Sequence, residues 1–304
     1  MYVLLHTQEE SMYALKTYDI TKKYGSVYAA DKVNLSVKKG AVLGIIGENG
    51  AGKSTTLKMI TQTIFPTSGK VEFFEGSTVN KKPRIGGYVD FPKFYGMLSA
   101  AENIEVIRRI AGVDSCLGTD EILETVGLSN AKKKRVSKFS LGMKQRLALA
   151  IALVTKPDIV ILDEPLNGLD PIGIQDFREL ISSMVKSQDI TFIISSHLLL
   201  ELEKIATDYV IMQKGKVIAE FSAEKLSTEL KNFICFKTDQ VETVKNILKA
   251  DVAEKDMKVE EKQITVLTTM DKYATLISKV ESYCSDISVD KQDLESYYKG
   301  LIGK

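Results

Sequence analysis

The chain has 304 residues, with 41 Lys and Arg against 40 Asp and Glu, for a formal net charge of +1 at pH 7. So even a balance leaves no electrostatic footprint for nucleic acid, which is expected neither as substrate nor as partner. Cys116, Cys235 and Cys284 are scattered, with no C-x-x-C spacing and no nearby histidine, so neither a disulfide framework nor a zinc site is indicated and a reducing cytoplasm fits.

In chain order, residues 1–11 read as an N-terminal extension, either disordered or an upstream start, because Met12 precedes the first regular pattern. They lack the basic region and long apolar core of a secretory signal. Period-2 alternation over 14–20 and 33–37 predicts a small antiparallel β layer leading into a buried strand over 42–46. A helix is predicted over 54–64, a turn at 66–69 and strands over 70–74 and 85–89. Helical spacing then takes over from about 99 to 138, broken by Gly112, Gly118 and Gly127. Apolar strands over 159–162, 191–195 and 209–212 alternate with helices, the rhythm of a parallel sheet covered by helices. From about residue 223 the order becomes strand 233–237, helix 241–248, strands 258–260 and 264–268, helix 273–283, strand 287–289 and a terminal helix over 294–302. The fold class is α/β over residues 12–222, with a helical insertion over about 91–140, followed by a small α+β unit over 223–304 of the form β-α-β-β-α-β. Apolar runs such as 147–154 fall short of the roughly 18 to 20 residues that span a bilayer, so no direct membrane span is expected.

Between the strand over 42–46 and the helix after it stands Gly47-Glu48-Asn49-Gly50-Ala51-Gly52-Lys53-Ser54-Thr55, which fits G-x-x-x-x-G-K-[ST]. A glycine-rich turn between a strand and a helix points backbone N–H groups and a helix N-terminus at one spot, as a triphosphate requires. The glycines let the backbone wrap oxygen atoms, Lys53 supplies a mobile charge for the β and γ phosphates, and Ser54 offers a hydroxyl to Mg²⁺. Further on, Asp163 and Glu164 end a buried strand. Asp163 is suited to hold Mg²⁺, directly or through water, and Glu164 to polarise an attacking water. His197 follows the next apolar strand, where an imidazole would reach the γ-phosphate and hold Glu164 and the water in register.

Ser140-Leu141-Gly142-Met143 opens a helix at the end of the helical insertion, and here the set of motifs resembles the ATP-binding cassette family. Ser140 and Gly142 match the first and third positions of that family's Ser-Gly-Gly-Gln signature; Leu141 and Met143 replace the other two. The order is also the family's: Tyr24 in Lys-Lys-Tyr-Gly as the aromatic that stacks on adenine, the phosphate loop, the signature, Asp163 and Glu164, Asn167-Gly-Leu-Asp170 as the D-loop, and His197 as the switch histidine. The resemblance covers residues 14–222 and implies a P-loop nucleotide-binding domain using ATP and Mg²⁺. It also implies that two such domains face each other, with Ser140 and the Gly142 N–H of one binding the γ-phosphate held by the other. Ser140 reads equally well as a helix N-cap, and the two roles are compatible.

The family carries Gln at the end of the strand before the helical insertion, where it contacts Mg²⁺ and the attacking water and relays movement to the membrane partner. Counting back from Glu102-Asn103, that position is Asp90. Transporters resembling the bacitracin-export and lantibiotic self-protection subfamily often carry Glu there, with a Ser-Leu-Gly-Met signature and a C-terminal α+β unit of this size. The chain resembles that subfamily, which makes Asp90 a candidate ligand for Mg²⁺ and nucleotide. The apolar loop over 91–98 reads either as part of a groove for the membrane subunit or as a segment buried on the chain's own helices. The basic run over 132–135 reads as a solvated face or a membrane or partner contact. The resemblance implies the ATPase subunit of an exporter of peptide antibiotics, working as a homodimer with a second nucleotide-binding subunit. It would sit in the cytoplasm, at the inner face of the cell membrane through a separate permease. The alternative is a soluble, non-transport member of the family with a mechanical or regulatory role.

Overall fold

The computed structural model describes residues 13–74, 83–112, 117–188, 190–229, 232–268, 270–291, 294 and 298. The expected extension over 1–11 lies outside them, as does the expected terminal helix except for Leu294 and Tyr298. The chain divides into two compact units, Met1–Phe221 and Ser222–Lys304.

In the first unit, β1 (Tyr13–Tyr24) and β2 (Val27–Lys38) pair antiparallel, and β4 (Ser68–Phe73) adds to the other edge of β1. Each of the first two strands runs 12 residues, longer than its alternating pattern predicts. The reason is irregular register: it shifts between Thr17 and Ile20 and again before Lys22, and Asp19 and Lys32 both take a φ of 49°. Such bulges interrupt the period-2 pattern while the ladder continues.

All five residues of β3 (Val42–Ile46) are buried. A continuous apolar run suits a strand covered on both faces. It lies in a six-stranded sheet of order β5-β6-β7-β3-β8-β9, with β5 (Ile85–Tyr88), β6 (Ile159–Asp163), β7 (Thr191–Ser196), β8 (Asp208–Gln213) and β9 (Lys216–Ser222). The pairs β5–β6, β6–β7, β7–β3 and β3–β8 are parallel, so the carboxyl ends of these strands fall along one edge. That edge is where open α/β sheets bind ligands.

Helix α1 (Lys53–Ile60) leaves the loop after β3. It stops short of residue 64 because Thr61 Oγ1 reaches the carbonyls of Leu57 and Lys58 (3.0 and 3.2 Å) and Gln62 turns the chain away at a φ of 57°. Helices α2 (Ala100–Ala111), α3 (Thr119–Thr125) and α4 (Leu141–Leu153) pack on one another. The start of α2 is written locally as S-x-x-E: Glu102 N donates to Ser99 Oγ (3.3 Å) and Ser99 N donates to Glu102 Oε2 (2.7 Å), a capping box. Buried Asn103 donates to the Tyr95 carbonyl (3.1 Å) and accepts from the Tyr95 N–H (2.9 Å), which pins the apolar loop over 91–98. Phe91, Tyr95 and Met97 stay exposed, whereas Phe94 and Leu98 between and after them are half-buried, so the loop packs on the chain through alternate residues and leaves the others open. Helix α5 (Pro171–Gln188) joins β6 to β7, and the short α6 (Leu199–Leu202) joins β7 to β8.

The second unit begins with α7 (Ala223–Glu229). It continues as β10 (Asn232–Lys237), α8 (Val241–Leu248), β11 (Met257–Glu260), β12 (Gln263–Thr268), α9 (Met270–Val280) and β13 (Asp286–Lys291). Its sheet order is β11-β12-β10-β13 with antiparallel neighbours, the split β-α-β arrangement of the expected β-α-β-β-α-β chain. Ile234, Phe236, Ile264 and Val266 meet Val244, Leu248, Leu276 and Val280 in its core.

Candidate functional site

The loop between β3 and α1 needs glycine for steric reasons. Gly50 and Gly52 take φ values of 84° and 101°, and a Cβ on Gly52 would stand 2.6 Å from the Ala29 carbonyl oxygen. A Cβ on Gly47 would stand 2.5 Å from the Met212 carbonyl oxygen. The Ala51 N–H closes the turn on the Glu48 carbonyl (3.1 Å), while the Ala51 carbonyl accepts from Gly215 N (3.0 Å). Glu48, Asn49 and Gly50 form an exposed rim, and Ser54 and Thr55 lie half-buried on the first turn of α1. The unpaired N–H groups at that helix start face the loop.

Lys53 is only 5% exposed; its Nζ donates to the carbonyls of Gly47 (2.6 Å) and Glu48 (3.3 Å) and lies 3.2 Å from Glu164 Oε1. Glu164 follows β6 at a φ of 49°, a left-handed conformation that a glutamate takes only when its surroundings hold it there. The hold is visible. Its N–H meets the Ser195 carbonyl (3.2 Å) and Oγ (3.0 Å), while Ser195 Oγ donates to Asp163 Oδ1. Glu164 Oε2 accepts from His197 N (3.3 Å) and lies 2.7 Å from His197 Nδ1. Its other oxygen, Oε1, is buried without a hydrogen bond, since Lys53 is within ion-pair range but not in hydrogen-bond geometry.

This donor set fits a polyphosphate: a buried ammonium, a glycine-shaped backbone cradle and a helix N-terminus converge beside an under-satisfied carboxylate oxygen. Among the described residues no three His, Cys, Asp or Glu side chains gather into a complete metal site. A divalent ion here would need phosphate oxygens and water among its ligands, which is how Mg²⁺ is commonly held.

Asp90 lies just past β5 at a φ of 67°, with its N–H 3.5 Å from Asp163 Oδ2. Its 70%-exposed carboxylate turns to Lys58 on α1, Nζ to Oδ2 2.7 Å, rather than to Asp163. The hydrogen bond to Asp90 raises the Lys58 pKa, and the charges of Asp90 and Asp163 add to it against some burial. Two residues earlier, the buried Tyr88 hydroxyl donates to Gln145 Oε1 on α4 (2.8 Å). Burial, with the charge of Asp163, pushes that phenol well above its ordinary pKa. Tyr88, Phe91 and Phe94 continue outward as edge-to-face rings, 6.4 and 5.9 Å between centroids.

The remaining candidates make none of these hydrogen bonds or ion pairs. Tyr24 ends β1 with its ring 54% exposed and the Lys22 ammonium 5.3 Å from the ring centre. Ser140 caps α4, its Oγ accepting from Met143 N (3.3 Å), and Asp170 Oδ1 accepts from Gly173 N (2.8 Å) at the start of α5. Ser140, Gly142 and Asp170 line one cavity of ≈ 450 Å³ together with Leu141, Leu169 and Ile172. Lys53 and Glu164 do not line it. Two residues with evident roles carry no motif. Ser195, a hydroxyl in the buried strand β7, joins both acids, and it shares that strand with two further buried hydroxyls, Thr191 and Ser196, so its polarity alone does not single it out. Lys58 gives no signal beyond being a cation in the first two turns of α1.

Comparisons with known proteins agree with this geometry. The ABC transporter family model matches residues 30–167. The bacitracin transport ATP-binding protein BcrA of Bacillus licheniformis is 46% identical over 76% of this chain and 77% of that relative. The protein of the same name from Enterococcus faecalis is 34% identical over 96% and 97%. The lantibiotic transport ATP-binding protein SrtF of Streptococcus pyogenes is 42% identical over 73% of this chain and 98% of the relative. Among solved structures, an ATP-binding cassette of an ABC transporter in its ADP conformation superposes with a TM-score of 0.63 at 28% identity, covering 71% of this chain and 94% of that one. A dimeric bacterial ABC transporter cassette gives 0.60 at 25% identity, covering 69% and 98%. A glycine-lined phosphate loop at the mouth of a parallel sheet, a glutamate held beside its lysine, and relatives aligned over most of both chains lead to one assignment: this chain belongs to the ATP-binding cassette family of ABC transporter ATPases.

Proposed function

We propose that this chain binds and hydrolyses ATP to drive a separate membrane permease that exports peptide antibiotics and so confers resistance or immunity. The hydrolytic half of the reading is carried by one observation: Glu164 is fixed from its backbone by Ser195 and from its side chain by His197, beside the buried Lys53. In that position Lys53 neutralises phosphate charge, Glu164 orients and polarises water, and His197 keeps the carboxylate in register. A Mg²⁺ ion arriving with the nucleotide would supply Lewis-acid neutralisation of the phosphates, with Ser54, Asp163 and Asp90 as its holders. Tyr24, with its exposed ring, stacks on the adenine. Among the described residues no helix is long and apolar enough to cross a membrane, which supports dependence on a permease. The substrate class comes from the bacitracin and lantibiotic relatives.

Ser140 and Asp170 line a cavity that Lys53 does not line, which supports a site completed by a second copy of the chain. Ser140→Ala then has a double signature. Loss of the N-cap lowers stability by about 1 kcal/mol, and steady-state hydrolysis falls while ATP affinity of the isolated chain stays at the parent value. A loss of stability alone would leave Ser140 as a cap and nothing more.

The substrate reading is tested on the chain copurified with its permease and reconstituted in vesicles. Bacitracin-type or lantibiotic peptide should stimulate ATP hydrolysis, and cells expressing the pair should tolerate more peptide than cells expressing Lys53→Ala. Hydrolysis that responds to neither peptide class, with no change in tolerance, would overturn the substrate assignment and leave the ATPase intact.

A further inference from the structure

Asp90, Asp163 and Glu164 stand at the carboxyl ends of the neighbouring strands β5 and β6, which pair in register from Ile85 with Ile159 to Tyr88 with Leu162. Like charges so placed disfavour one another unless each is compensated. Asp163 takes the Ser195 hydroxyl and Glu164 takes Lys53 and His197. Asp90 takes Lys58. Both lysines come from α1, five positions apart, so this one helix offers a cation on two of its sides. An amide at position 90 would bring no charge to compensate, whereas an acid beside Asp163 does.

We propose that Lys58 is a positioning residue for Asp90: it holds the carboxylate against α1, and a divalent ion arriving with the nucleotide competes with Lys58 for it. This rests on the reading of Asp90 as a metal-holding residue. The pair is exposed enough to exchange readily, with Lys58 30% and Asp90 70% accessible. Among the charged groups Lys58 also feels Asp163, so its ammonium belongs to the electrostatics of the whole strand edge. Asp90 itself is held at a left-handed φ of 67° with its N–H toward Asp163, which fixes its backbone and leaves the side chain to choose between the lysine and the site.

The test is equilibrium binding of a fluorescent ATP analogue to the intact chain while Mg²⁺ is titrated. Lys58→Met should lower the Mg²⁺ midpoint roughly two- to five-fold, the worth of one exposed ion pair. Lys58→Arg, which retains the pair, should stay close to the parent. In an Asp90→Asn background, Lys58→Met should cause no further shift. An equal shift in both backgrounds would overturn the proposal, because Lys58 would then act on the ion only through its charge; no shift in either would overturn it as well. A midpoint unmoved by Asp90→Asn defeats the metal role of Asp90 and the proposal with it, whereas failure of the parent chain to bind the analogue at any Mg²⁺ concentration defeats the phosphate-loop reading instead.

Discussion

Glu164→Gln is expected to bind ATP at close to the parent affinity and to hydrolyse it about 10²- to 10⁴-fold more slowly, the span for loss of a positioned general base. The substitution keeps shape and most of the hydrogen bonding. The backbone contacts of residue 164 to Ser195 do not involve the side chain, and an amide oxygen can still accept from the His197 N–H. What goes is the charge that faces Lys53 and the ability to polarise water. Binding should survive because the cradle is made of backbone, Lys53 and the start of α1, none of which changes. Single-turnover hydrolysis by the chain with its permease measures the effect, and a parent rate would mean that another residue performs the step.

Gly86→Ala should destabilise the first unit by about 3 kcal/mol, a fall in Tm of roughly 6–12 °C for a domain of this size. The Cβ would stand 1.9 Å from the Ala152 carbonyl oxygen and 2.8 Å from its carbon, so the obstacle is the backbone of α4 and cannot rotate away. Either β5 or α4 must move. Since Ser140 caps α4 and β5 leads to Asp90, the same strain should also reduce hydrolysis in the folded fraction. Gly96→Ala is the matched control: its Cβ would meet Ser137 Cβ at an ordinary 3.6 Å, and stability should change by no more than about 0.5 kcal/mol. Thermal unfolding of the two variants side by side decides the matter, and equal midpoints would show that the α4–β5 approach is not tight.

What could be read from the sequence was local. The phosphate loop, the acid pair after a buried strand and the strand-helix order of the second unit all depend on spacing within a few residues. What could not be read depends on partners far away in the chain. Gly86 looks like a weak strand residue until α4, some sixty positions later, is placed against it. Ser195 gains its role only because β6 and β7 pair with Asp163 opposite Ser195. The Lys58–Asp90 pair needs α1 and the end of β5 to be neighbours, which neither segment encodes alone. The long hairpin β1–β2 was foreshortened in the pattern because residues at positive φ broke its alternation.

We propose that this cassette holds one half of an ATP site and a second copy supplies the other. The direct measurement is the mass of Glu164→Gln by light scattering with and without Mg²⁺ and ATP. Without nucleotide the chain should run at its monomer mass of 33.7 kDa; with Mg²⁺ and ATP the mass should double, and adding Ser140→Arg should abolish the doubling. A monomer mass under saturating ATP, in a variant shown to bind it, would mean that no second copy completes the site.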